Sequence, residues 1–270
     1  VVAASAPTLY YYCSSHSGMG GQVNTNSTLG SSNFDGTIQS TAKVNATAGF
    51  SIVSYTGNGV TTASFGHGLG VAPDVIILKN RDSGVADWMV MHTSIPSYDG
   101  GNYAHQPIAL NGTAGAFSVL GVWTTPNSTN QQITDGQTSS ANRKLTNDSG
   151  NKYIAYCFSE VAGYSKFGSF VGNGNSNGTF IFLGFSPALI IYKNISSSQD
   201  WLMVDPKRIH DGSYLDYLEP NTNDAEGAVA LQITSNGFKL RESGTKFNGS
   251  GNTFIYLAFA ESPFKNARAR

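Results

Sequence analysis

Apolar residues along this chain come in short runs cut by Gly, Asn and Pro. No window of about eleven residues holds a helical period without one of these breakers. The runs are β-branched and aromatic, as in Val75-Ile76-Ile77-Leu78, Leu189-Ile190-Ile191-Tyr192 and Phe254-Ile255-Tyr256-Leu257. They predict strands throughout. After Pro73 and Pro187 the apolar residues follow one another without alternation, which predicts strands buried on both faces. One short helical turn, Gly212 to Leu218, is the exception. Residues 22–48 are rich in Ser, Thr, Asn and Gly and read as a long connector.

The strand pattern occurs twice. Leu69-Gly70-Val71-Ala72-Pro73 and its strand through Lys79-Asn80 align with Leu183-Gly184-Phe185-Ser186-Pro187 and its strand through Lys193-Asn194. Gly57-Asn58-Gly59 and Gly172-Asn173-Gly174 precede them. Asp87-Trp88 and Asp200-Trp201 follow, and Ser-Gly-Asn introduces the last strand of each copy at Ser149 and Ser250. Landmarks in one order at one spacing indicate duplication. The reading is two tandem β-sandwiches of jelly-roll or concanavalin-like type, 49–162 and 163–270, behind an N-terminal extended segment, 1–48. The boundary near Ala162-Gly163 leaves almost no linker, so the sandwiches should pack on each other. The repeated glycines should supply positive φ in tight turns, and Trp88 and Trp201 should anchor the two cores, each preceding Asp accepting a turn amide. A sugar-stacking Trp is the functional rival.

Composition narrows the function. Of 270 residues only 12% are charged, with 16 Lys+Arg against 17 Asp+Glu and a net charge of −1. That excludes a basic footprint for nucleic acid or an anionic membrane. Ser and Thr number 54 and Asn 23, so hydroxyls and amides stand where charges usually do. The longest apolar stretch, from Phe180 to Tyr192, is broken by Gly184 and Pro187, so no membrane insertion is expected. The opening Val1-Val2-Ala3-Ala4 carries no intact secretory signal and reads as a mature product or a piece of a longer chain. Two cysteines, Cys13 and Cys157, lie in segments of different character and do not suggest a disulfide scaffold.

Chemical constellations are few. Tyr10-Tyr11-Tyr12-Cys13 leads into Cys13, His16 and Met19, a spacing that resembles the ligand loop of cupredoxins, where thiolate, imidazole and thioether reach copper. No His precedes Cys13, so the segment reads as the end of a cupredoxin-like module, a remnant metal set, and no cofactor is expected. Gly174-Asn175-Ser176-Asn177-Gly178 fits a nucleophile-elbow pattern but lies in a Gly/Asn hairpin without the following helix. The acidic concentration Asp205, Asp211, Asp216, Glu219, Asp224 and Glu226 could supply the two carboxylates of a polysaccharide hydrolase. A solvated acidic loop is the plainer reading. His67, between two glycines, reads as a turn histidine. Eight Asn-x-Ser/Thr sequons, at Asn26, Asn45, Asn111, Asn127, Asn147, Asn177, Asn194 and Asn248, exceed the roughly five that the composition supplies, a weak sign of glycosylation.

Taken together, the repeated Gly-Asn-Gly, Pro-x-x-Ile-Ile-x-Lys-Asn, Asp-Trp and Ser-Gly-Asn motifs, and the ending Phe259-Ala260-Glu261-Ser262-Pro263-Phe264-Lys265, resemble a tandem-repeat β-domain family of unassigned activity. It is found in tail-fibre and other virion proteins of bacteriophages, marine ones especially. The resemblance covers about residues 49–270 and implies a virion appendage without known catalytic residues. It implies self-association, with threefold symmetry for a fibre, contact with other virion proteins, and attachment to a host glycan or receptor. Tyr98 and Tyr103 are the loop aromatics available for such a contact.

Overall fold

The computed structural model describes residues 30–96, 106–116, 123–133, 145–209 and 214–261, and the backbone of 9–12 and 20–23. Among these residues the helical pieces are a 3-10 turn at Ala46–Ala48, the helical residues Leu145 and Thr146, and a single turn, α1, at Thr245–Asn248. The rest of the ordered structure is antiparallel sheet. β1 (Leu9–Tyr12) pairs with β2 (Gly20–Val23) as a hairpin. A 7-stranded sheet runs β3 (Ser31–Asn33), β4 (Ser40–Asn45), β5 (Phe50–Thr56), β11 (Lys152–Phe158), β7 (Val75–Asn80), β8 (Trp88–His92), β9 (Ile108–Ala109). A 6-stranded sheet runs β12 (Ser165–Val171), β20 (Thr253–Ala260), β14 (Pro187–Asn194), β15 (Trp201–Ile209), β16 (Leu215–Leu218), β17 (Gly227–Val229). Two small sheets complete the set: β6 (Ser64–Gly66) with β10 (Asn130–Gln132), and β13 (Phe180–Phe182) with β19 (Gly237–Leu240) and β18 (Leu231–Thr234).

Burial orders the sheets into layers. Val53, Tyr55, Ile76, Leu78, Met89 and Tyr153 face Phe65, Trp123 and Ile133 across the first core. Ile190, Tyr192, Leu202 and Phe254 face Ile181, Phe238 and Leu240 across the second. A third cluster joins the two large sheets, with Val75, Val90 and Ile108 against Phe167, Trp201, Ile255 and Leu257. Small sheet, large sheet, large sheet and small sheet therefore stack with apolar contact at every junction. This explains the unbroken apolar runs: Ile76 and Leu78 serve the first core while Val75 and Ile77 serve the junction.

The halves repeat in geometry as well as in motif. The order β5-β11-β7-β8 recurs as β12-β20-β14-β15. Tyr153 lies opposite Tyr55 and Asn80, as Phe254 lies opposite Phe170 and Asn194. The Gly-Asn-Gly turns are bound by one scheme: Gly57 N–H donates to Asn151 O and Gly59 N–H to Asn147 O, while Gly172 N–H donates to Asn252 O and Gly174 N–H to Asn248 O. Gly59 and Gly174 do adopt positive φ, at 69° and 64°. Gly57 and Gly172 do not. They are small because a Cβ would lie 2.3 Å from Asp148 O or Gly249 O.

Three expectations are corrected. The stretch read as a connector supplies β3 and β4, which extend the first sheet, and Ile38 enters the first core. Polar outward positions on a two-sided edge ribbon look like a linker in composition. The helical turn expected from Gly212 to Leu218 is β16 over Leu215–Leu218, because Leu215 and Tyr217 pack on the second core. Trp88 is only half-buried, stacked on Tyr156 at 6.4 Å, while Trp123 fills the first core. Trp201 is 1% exposed but lies in the junction rather than in the second core.

Candidate functional site

Five residues singled out from sequence, Tyr98, Tyr103, Cys13, His16 and Met19, lie outside the described residues, as do Asp211 and Asn26. Cys157 is a free thiol in the first core, and burial pushes its pKa up to about 12. At that value it stays a neutral, buried thiol. Among the described residues no group of three His, Cys, Asp or Glu could hold a metal ion. No helix among them is long and apolar enough to cross a membrane.

The acidic concentration is divided between strands and the 219–226 loop, where Asp224 and Glu226 are exposed. Asp205 lies on β15, Asp216 on β16, and Glu226 just before β17. Arg208 joins two of them: its Nη2 reaches Asp205 Oδ2 at 2.6 Å and its Nη1 reaches Glu226 Oε1 at 3.2 Å. Burial works to raise the Asp205 pKa, but the Arg208 guanidinium and the amides of Lys207 and Arg208 outweigh it and hold the carboxyl below its ordinary value. Glu219 pairs with Lys246, whose Nζ also lies 3.7 Å from Asp200 Oδ2 and over the Tyr217 ring. A glycosidase acid needs a carboxyl with a raised pKa facing a second carboxylate. Here cations hold Asp205, Glu219 and Glu226.

Other polar groups are equally engaged. Asp87 and Asp200 each accept a side-chain amide, from Asn111 Nδ2 and Asn221 Nδ2 at 2.8 Å, while Asn111 and Asn221 Oδ1 accept the N–H of Trp88 and Trp201. The repeated Asp-Trp is thus half of a two-bond clasp onto a distant Asn, and sequence spacing carried no sign of the Asn partner. His67 accepts the Leu69 N–H on Nδ1, so Nε2 carries the proton given to Asn127 O at 3.0 Å. Burial lowers its pKa. His92 accepts from Ser94 N–H and meets Tyr256 O at 3.2 Å across the junction. The sequon residues Asn147, Asn194 and Asn248 are fully enclosed, with their amides bound inside, so none can accept a glycan.

In sequence Lys193 stood out only as part of the repeated Lys-Asn. It is fully buried at the junction and donates to Thr113 O at 3.1 Å and Asn194 O at 2.6 Å. Burial lowers its pKa to about 8, against an opposing pull from Asp200. The folded chain therefore binds fewer protons than the unfolded chain between about pH 8 and the ordinary lysine value, and over that window stability rises with pH. Buried Cys157 and Tyr153, both raised to about 12, act in the opposite direction once their unfolded forms ionise. The difference between the native chain and Lys193→Met isolates the lysine. From pH 7 to 9.5 urea denaturation should show the native chain gaining on the variant by up to about 2 kcal/mol. A pH-independent difference would show that Lys193 is charged throughout.

No curated protein and no solved structure matches the chain. A family model described as a domain of unknown function, DUF7483, matches residues 24–263, a span that takes in the strands at 31–45 as well as both halves, and the chain belongs to that family.

Proposed function

We propose that this chain is a non-enzymatic structural module of a bacteriophage virion, part of a tail fibre or capsid fibre, that self-associates and helps attach the particle to its host. The observation that carries the reading is where the polar chemistry goes. Asp205, Glu219, Glu226, His67, Lys193 and the repeated Asn residues are bound into the fold by ion pairs or hydrogen bonds. Proton-transfer catalysis wants such groups poised and unspent. A fold that spends them on its own turns and junctions suits building and binding, and the bacteriophage resemblance of the repeated motifs supplies the setting. The neutral surface of hydroxyls and amides suits contact with other virion proteins and with an uncharged host glycan or receptor. The aromatics that would touch it are Tyr98 and Tyr103.

Electron microscopy of purified particles, decorated with antibody against this chain, tests the reading. Antibody should mark an appendage at a fixed number of copies about its axis. Particles that lack the chain, while the protein accumulates free in the medium, would refute it.

A further inference from the structure

The small sheet of the second half is built unlike its counterpart on the outer face. In the first half β6 is covered: the amides of Thr37 and Ile38 donate to Ser64 O, and a Cβ on Gly66 would fall 2.1 Å from Asn33 Oδ1. In the second half β13 carries Phe180 and Phe182, 45% and 57% exposed, with Ile181 between them in the core. Alternate residues of a strand share a face, so the two phenylalanines project about 7 Å apart into solvent. Two large aromatics side by side in water serve no packing purpose and mark a contact surface.

Strand register sets their neighbours. Phe180 lies opposite Lys239, and Lys239 lies opposite Gln232. The ladder continues to Arg241, whose N–H donates to Ala230 O, and alternation puts its side chain on the same face as Lys239. Phe182 lies opposite Gly237, so no side chain on β19 stands across from that ring. Lys166 reaches over from β12, with its Nζ 5.7 Å from the centroid of the Phe182 ring.

The charges on this face are not cancelled. Elsewhere Arg208 is matched by Asp205 and Glu226, and Lys246 by Glu219 and Asp200. Here Lys239 Nζ donates to Asn177 Oδ1 at 2.7 Å, and Arg241 Nε and Nη2 donate to Gln232 Oε1 at 3.2 and 2.7 Å. Neutral amides thus orient two cations and leave their charge in place. None of Lys166, Lys239 and Arg241 has a carboxylate partner among the described residues. Asn177 and Gln232 each turn the amide oxygen to a cation, which leaves the N–H groups of both amides to donate elsewhere. The face therefore offers two aromatic rings and a set of donors around them. Its complement has an apolar C–H face and negatively charged acceptors, which is the chemistry of a sugar ring bearing a carboxylate. A net charge of −1 over the whole chain supplies no wider basic field for a nucleic-acid backbone.

We propose that the outer face of the β13-β19-β18 sheet binds an acidic polysaccharide, with uronate rings laid on Phe180 and Phe182 and their carboxylates held by Lys239, Arg241 and Lys166. This surface is distinct from the loop aromatics Tyr98 and Tyr103, and it stands apart from the virion reading because the purified chain alone tests it.

Affinity electrophoresis of the full chain in calcium-free gels should show retardation by alginate and polygalacturonate and none by dextran. Replacing both exposed rings, Phe180→Ser with Phe182→Ser, should weaken binding at least about tenfold with an unchanged circular-dichroism spectrum. Lys239→Gln should weaken it by about threefold and flatten its dependence on salt. Failure of both uronans to retard the chain overturns the proposal, including the case in which another segment of the same chain covers the rings. Undiminished binding by the double serine variant also overturns it, since the contact is then ion exchange without stacking. Equal retardation by dextran removes the carboxylate from recognition, and tighter binding of a single-stranded oligonucleotide assigns the face to nucleic acid; either result refutes the uronate site. All of these outcomes leave the virion reading to the particle images.

Discussion

Trp201→Ala should cost about 3–5 kcal/mol, the largest loss of any single truncation at the junction. The indole is 1% exposed in the cluster that holds the two large sheets together, and its Nε1 donates to Ala109 O at 2.9 Å. Removing it leaves a cavity between two sheets whose other faces are committed to separate cores, so neither can shift to fill it. The carbonyl of Ala109 loses its donor as well. Trp201→Phe, which keeps most of the apolar volume, should lose about 1–2 kcal/mol. Trp88→Ala should lose less than Trp201→Ala, about 1–2 kcal/mol, because that ring is only partly buried, stacked on Tyr156. Urea denaturation of the three variants checks the order. A loss below about 1 kcal/mol for Trp201→Ala would mean that the halves do not depend on this contact.

The second large effect lies at Asn248. Its Nδ2 donates to Asn173 Oδ1, Asn175 O and Glu242 O at 2.8, 3.0 and 2.8 Å, and its Oδ1 accepts Asn173 N–H at 3.1 Å. The side chain is fully enclosed. Asn248→Ala strands these buried groups at once and should cost about 2–4 kcal/mol. Asn248→Asp keeps the shape but turns a carboxylate toward three oxygens, so it should cost more than the alanine at pH 7. Thermal unfolding separates the two. The aspartate variant should recover part of its loss at pH 5, where protonation restores one donor, and the alanine variant should not. Asn147 holds the matching place in the first half, donating to Asn58 Oδ1 and Val60 O, and its truncation should behave alike.

The duplication was legible because identical turns need identical residues. Gly57 and Gly172 recur where backbone approaches backbone, and Gly59, Gly150, Gly174 and Gly251 recur where φ is positive. The strands at 75–80 and 187–194 were legible from unbroken apolar runs, which only burial on both faces tolerates. The strands at 31–45 were not, since an edge ribbon with polar outward positions has the composition of a linker. Nor were the partners of Asp87 and Asp200, because a clasp across twenty-odd residues leaves no local period.

Along the chain, apolar runs and breakers determined the all-β class, since strand and turn preferences depend on neighbours a few residues apart. Tertiary structure alone decided that Trp201 joins the halves while Trp88 is only partly buried on Tyr156, that Asp205 and Glu226 share one arginine, and that the segment at 31–45 covers the edge of the first half. Those outcomes depend on which distant strand lies alongside. Two nearly identical local patterns carry no mark of which one the preceding segment will cover.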